Sequence, residues 1–211
     1  MSLSRTRITL AGTGIAAALL VAGCGDDSGD TTAAPTTSAT GMSDMPGMHH
    51  GTPSSTAAPT RTDFTDADVT FLQMMYPHHA QAVDMAKLVP GRTQNQQLVA
   101  LAANVERAQA PEMQRFTELL SAFGKPAPSA MGHEMPGMMS QEEMTALRDA
   151  TGPEFDRKWL TMMIAHHQGA IDMANTELAQ GVNPDARTLA QSISTAQQAE
   201  IQQMRAMLGQ G

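Results

Sequence analysis

Apolar side chains recur along this chain at the spacing of helix faces. At about 100° per residue, Phe71, Met74, Met75, His78, Ala82, Met85 and Val89 fall on one stripe. The pattern predicts a helix over about 65–89, capped near Thr65 and stopped by Pro90-Gly91. A second face carries Leu98, Leu101, Ala102, Val105, Ala108, Gln109, Glu112, Phe116, Leu119 and Leu120. It predicts a helix over about 94–123 that ends at Gly124. Pro77 and Pro111 lie inside these helices, where each is expected to produce a kink or a local break.

The pattern then repeats at an offset of 88 residues. Met74-Met75-Tyr76-Pro77-His78-His79 matches Met162-Met163-Ile164-Ala165-His166-His167, and Ala82, Asp84, Met85 and Ala86 match Ala170, Asp172, Met173 and Ala174. Gln109, Glu112 and Gln114 match Gln197, Glu200 and Gln202, and Asp68 matches Asp156. In the second copy Gly181 closes one helix, Asn183-Pro184 opens the next, and Gly209 ends it. Ser140 and Glu143 form a capping-box signature for a short helix over about 141–149. The expected fold is all-α, a four-helix bundle of two helical hairpins with pseudo-twofold symmetry. Hairpin 1 covers about 65–124, a connector 125–153 and hairpin 2 about 154–209, within a folded part 63–211.

Glu112 and Glu200 interrupt apolar stripes, where a charge is costly unless paired or bound to a metal. His78, His79, His166 and His167 lie on the partner stripes, with Met75 and Met163 one turn before the second His and Met85 and Met173 beyond. Two plain readings compete. A Met stripe at helical spacing fills cores, and a buried His beside a buried Glu, such as His79 with Glu112, can be a structural hydrogen-bond pair. Adjacent His pairs, flanking thioethers and an opposing carboxylate, all duplicated, point instead to a metal site. Its candidate ligands are His78, His79, Met75, Met85, Glu112, His166, His167, Met163, Met173 and Glu200.

Composition sharpens this. Among 211 residues 18 are Met, only 3% are aromatic, and the formal net charge is −8. Such a chain, with no basic cluster, is a poor partner for nucleic acid. A single Cys excludes intrachain disulfides, CxxC redox pairs and thiolate cages. That Cys follows Arg5, Arg7 and an apolar run, in the string Leu20-Val21-Ala22-Gly23-Cys24, which resembles a bacterial lipobox. Residues 1–23 are therefore expected to be a lipoprotein signal peptide, and Cys24 the lipid anchor on the outer face of the cell membrane. Residues 24–62 read as a flexible tether. It holds Met45, Met48, His49 and His50, and the connector holds His133, Met135, Met138 and Met139. Both share an acidic-Met-Pro-Gly-Met string in polar surroundings, so core packing is not expected to explain these Met residues, nor Met144 just beyond. Thioether with imidazole suits Cu(I), and thioether needs no deprotonation.

The two Met-Met-x-x-His-His-x-x-Ala-x-x-Met strings, the downstream Gln-x-x-Glu and the Pro-Gly-Met-Met segment before Glu154-Phe155-Asp156 resemble the domain of unknown function 305 family, over about 62–209. The resemblance implies a ferritin-like four-helix bundle, usually exported, with some members associated with copper binding. It implies a functional core of His78, His79, Met85, His166, His167 and Met173. The expected function is a non-enzymatic, extracytoplasmic, membrane-anchored protein that sequesters or relays Cu(I). Two alternatives are a ferritin-like metal-dependent redox enzyme and a helical adaptor lipoprotein without metal.

Overall fold

The computed structural model describes residues 61–128 and 135–209. They form α1 (Asp66–Lys87), α2 (Gln96–Ala122), α3 (Gln141–Asp149), α4 (Gly152–Gln180) and α5 (Pro184–Met207). Local chemistry sets the boundaries. The Asn95 side chain accepts from the backbone N–H groups of Gln97 and Leu98, and Asn183 from those of Asp185 and Ala186. Ser140 and Glu143 satisfy each other's backbone N–H, as a capping box does. Among the described residues no helix is long and apolar enough to cross a membrane.

The expected breaks at Pro77 and Pro111 do not occur; α1 and α2 each run through their proline as one element. A proline removes one backbone donor. Pro111 and Arg107, whose carbonyl loses its partner, are both exposed, so water can satisfy that oxygen. On either side of each proline, buried residues such as Met75, His79, Val105 and Phe116 hold the helix in place. Ala108, expected on the apolar face, is exposed; α2 turns a narrower stripe inward.

Helices α1 and α2 make one hairpin and α4 and α5 the other, and the hairpins meet chiefly through α1 against α4. Met85 shares an apolar cluster with Met163, Trp159, Phe155 and Leu98, whereas Met75 shares the other with Met173, Phe71 and Phe116. The early part of each central helix thus packs with the late part of the other, so α1 and α4 run antiparallel. The Trp159 indole N–H donates to the Met85 carbonyl across the seam at 2.9 Å. Met144 belongs to the first cluster, next to Leu147. It is a core residue, because α3 folds its apolar side onto the bundle.

Asp68 lies inside the bundle. It is fully buried, and its carboxylate accepts from the Thr65 N–H and hydroxyl at 2.6 and 2.7 Å. It also accepts from the backbone N–H of Asn183 at 2.8 Å and of Val182, so it ties the start of α1 to the turn between α4 and α5. Burial pushes its pKa up, but these hydrogen bonds win and hold it at about 2.

Candidate metal centre

The repeat places four fully buried imidazoles where α1 crosses α4. The rings of His78 and His166 face each other with centroids 3.8 Å apart and planes 40° from parallel. His79 Nε2 lies 2.8 Å from Glu112 Oε2 on α2, and His167 Nε2 lies 2.6 Å from Glu200 Oε2 on α5. Both carboxylates are half-buried rather than interior. A carboxylate accepts, so Nε2 of His79 and of His167 carries the proton and Nδ1 is left with a bare lone pair.

Those lone pairs have no use within the described residues. Nδ1 of His78, His79, His166 and His167, and Nε2 of His166 as well, are buried without a hydrogen-bond partner there. A buried polar group left unpaired costs about 1–3 kcal/mol. Burial pushes the His78 pKa down to about 3, with a partial offset from its hydrogen bond to Pro136 and further lowering from neighbouring imidazoles. Burial also lowers His79, against the pull of Glu112, and lowers His166 strongly, helped by the other rings. These three rings are neutral at ordinary pH and offer nitrogen without first losing a proton.

Met75, Met85 and Met163 are fully buried and Met173 nearly so, two at each end of the imidazole group, in the apolar clusters. Among the described residues, no three His, Cys, Asp or Glu side chains converge as a ready metal cage. The uncommitted polar donors here are ring nitrogens, and the Met thioethers lie in the flanking apolar clusters.

Part of the connector is not an arm. Residues 135–139 lie as a strap across the seam beside the rings. The Pro136 carbonyl accepts from His78 Nε2 at 3.0 Å. The Gln81 amide donates to the Met139 carbonyl at 2.8 Å and accepts from the Met139 N–H at 2.7 Å. Met135 is buried, and Met138 and Met139 are half-buried. Gly137 has φ 76°, and a Cβ there would meet the Ala165 carbonyl at 2.5 Å; a Cβ on Gly169 would drive into the Pro136 carbonyl. The residues expected to hold metal in loops therefore divide. Met135, Met138 and Met139 dock on the bundle, whereas Cys24, Met45, Met48, His49, His50 and His133 lie outside the described residues.

Three participants escape a search for repeated residues: Gln81, Gly169 and Glu177. Glu177 is buried near Asp68 with no hydrogen-bond partner for either oxygen among the described residues. Burial, and then the Asp68 carboxylate, push its pKa up to about 8. Its repeat equivalent is Val89.

Solved structures share this fold. A DUF305 fragment from Deinococcus radiodurans is 33% identical, covering 70% of this chain and 98% of its own, with a TM-score of 0.64. A DUF305 protein from Streptomyces coelicolor is 30% identical, covering 68% and 92%, also at 0.64. CopM in its Cu(I)-bound form is 32% identical, covering 66% and 94%, at 0.59, and similar structures show CopM bound to Cu(II) and to Ag. No curated protein sequence matches. The model of the family described as domain of unknown function (DUF305) matches residues 68–208, and the chain belongs to that family.

Proposed function

We propose that this chain is an extracytoplasmic copper-binding protein, anchored by lipid at Cys24, that sequesters or relays Cu(I) without acting as an enzyme. The observation that carries this reading is the group of buried imidazoles whose ring nitrogens have no partner among the described residues. A structural His–Glu network would use Nε2 of His79 and His167 and leave five ring nitrogens orphaned. A soft metal ion would take up the lone pairs among them, one per neutral ring. His78 and His166 supply nitrogen, and Met75, Met85, Met163 and Met173 supply thioether from either side. Glu112 and Glu200 act behind His79 and His167, orienting the rings and fixing the tautomer. Copper-bound CopM, 32% identical, supports the choice of metal. Cu(I) fits thioether and imidazole better than Zn(II), which favours thiolate, imidazole and carboxylate. A di-iron enzyme would draw on about four Glu carboxylates, and among the described residues Glu112 and Glu200 are the two hydrogen-bonded to the rings.

The reading includes a path for the metal. The Met45, Met48, His49 and His50 segment captures copper and passes it to the bundle. The test is competition with a Cu(I) chelator for the full chain and for a His78→Ala plus His166→Ala variant that retains its helical circular dichroism. The variant is expected to lose the tightest equivalent of Cu(I). Unchanged affinity would remove the centre from the account.

A further inference from the structure

Gln81 and Gly169 occupy the same position of the repeat, 88 residues apart, each three residues after a central imidazole, His78 or His166. Duplication would have given both halves the same side chain here. Instead the two differ, and each meets the strap in its own way. On α1 the Gln81 amide grips both backbone groups of Met139, as a neighbouring strand would. On α4 the missing side chain of Gly169 makes room for the Pro136 carbonyl, which holds His78 Nε2. That bond puts the His78 proton on Nε2 and leaves Nδ1 bare, whereas the facing His166 has no partner among the described residues at either nitrogen. One single-copy segment thereby makes the two halves of a twofold site unequal.

Met135 precedes the carbonyl bound to His78. It is buried, yet it joins neither apolar cluster of the bundle. Packing therefore gives a weaker reason for its burial than for Met75 or Met163, which sit inside those clusters.

We infer that the strap is a latched wall of the central site, presenting the Met135 thioether to the His78–His166 pair, with Gln81 and Gly169 as the positioning residues that hold it there. This rests on the copper-binding reading above. The metal it would take is a soft monovalent ion, because Met135 adds a thioether and no charge.

The test uses the full chain labelled with 13C at the Met methyls and titrated with Ag(I), which does not change oxidation state. The Met135 methyl, identified by its absence in Met135→Leu, should shift within the first equivalent. Met135→Leu should weaken Ag(I) binding about tenfold, the effect of one modest ligand interaction. Gln81→Ala should speed hydrogen exchange at the Met139 amide in the metal-free protein and weaken Ag(I) by a similar factor. The Gln81→Ala plus Met135→Leu variant should be no weaker than either alone, since one residue acts through the other. Gln81→Glu, which keeps the acceptor for the Met139 N–H, should fall between wild type and Gln81→Ala.

A Met135 methyl that stays still while other methyls shift would overturn the inference and leave the copper-binding reading standing. Faster exchange at Met139 in Gln81→Ala with unchanged affinity would also overturn it, as would additive losses in the double variant. A wild-type chain that binds no Ag(I) and no Cu(I) would remove both.

Discussion

The two hairpins carry the same chemistry on their inner faces and different chemistry where single-copy segments touch them. His79 with Glu112 and His167 with Glu200 are near-copies, at 2.8 and 2.6 Å. Met75 and Met163 are equivalent and equally buried. Asp68 and Asp156 are equivalent in sequence only. Asp68 accepts from Thr65, Val182 and Asn183, whereas Asp156 is half-buried with one oxygen unpartnered among the described residues. Gln81 and Gly169 diverge under the strap, and Val89 sits in an apolar cluster where its equivalent Glu177 lies near Asp68. Positions that face the twofold interior stayed alike because each copy meets an equivalent set of neighbours. Positions that face the strap or a turn meet something that exists once, so identical side chains could not serve both.

The two hairpins should differ most at Asp68. Asp68→Ala strands the backbone donors of Val182 and Asn183, and should cost about 3 kcal/mol in denaturant unfolding. Asp156→Ala should cost well under about 1 kcal/mol. Equal losses would mean that the two acids do the same work. The pH dependence has a definite sign. Asp68 is held at about 2, below its ordinary 3.8, so its contribution is present above pH 3.8 and is lost as pH falls towards about 2. Wild type and Asp68→Ala should converge over that interval.

The imidazole–carboxylate pairs should behave oppositely, as true duplicates. Glu112→Ala and Glu200→Ala each leave a buried N–H without its acceptor, and each should cost about 1–3 kcal/mol, equal within the error of the melt. A large difference between them would show that the twofold breaks at the rings themselves.

Glu177 gives the most conditional effect, because it depends on pH. Its pKa is raised from 4.5 to about 8, so the folded chain holds a proton there that the unfolded chain has lost. The stability this contributes is complete below pH 4.5 and lost as pH rises through about 8. Glu177→Gln should therefore gain on wild type across that range, in melts taken from pH 5 to 9. A constant difference would mean that Glu177 does not titrate with folding.

Much of this molecule can be read from residue spacing, for a physical reason. Helix faces and the offset of 88 both register residues that recur, and the His pairs, Glu112, Glu200 and the central Met residues recur. The capping signals at Ser140, Asn183 and Gly209 are local and hold in the structure. What spacing misses is chemistry that occurs once. Gln81 and Gly169 mismatch in the repeat, so a search for identities passes over them, although a mismatch amid matched residues is itself a signal. Glu177 looks like any acid near a helix end until the turn closes over it. Met144 and Met135 stand in or beside a Pro- and Gly-broken stretch, and only tertiary packing shows that both are buried. The prolines of α1 and α2 misled for a related reason: the local loss of a hydrogen bond is outweighed by packing on either side.

If buried nitrogen and thioether of this bundle hold copper together, the metal's own ligand shell must show both. X-ray absorption at the copper edge, on the full chain loaded with one equivalent of Cu(I), reads that ligand set directly. The expected first shell contains both imidazole nitrogen and sulfur, with the imidazole signal lost in the His78→Ala plus His166→Ala variant. A shell unchanged by that double substitution would contradict it.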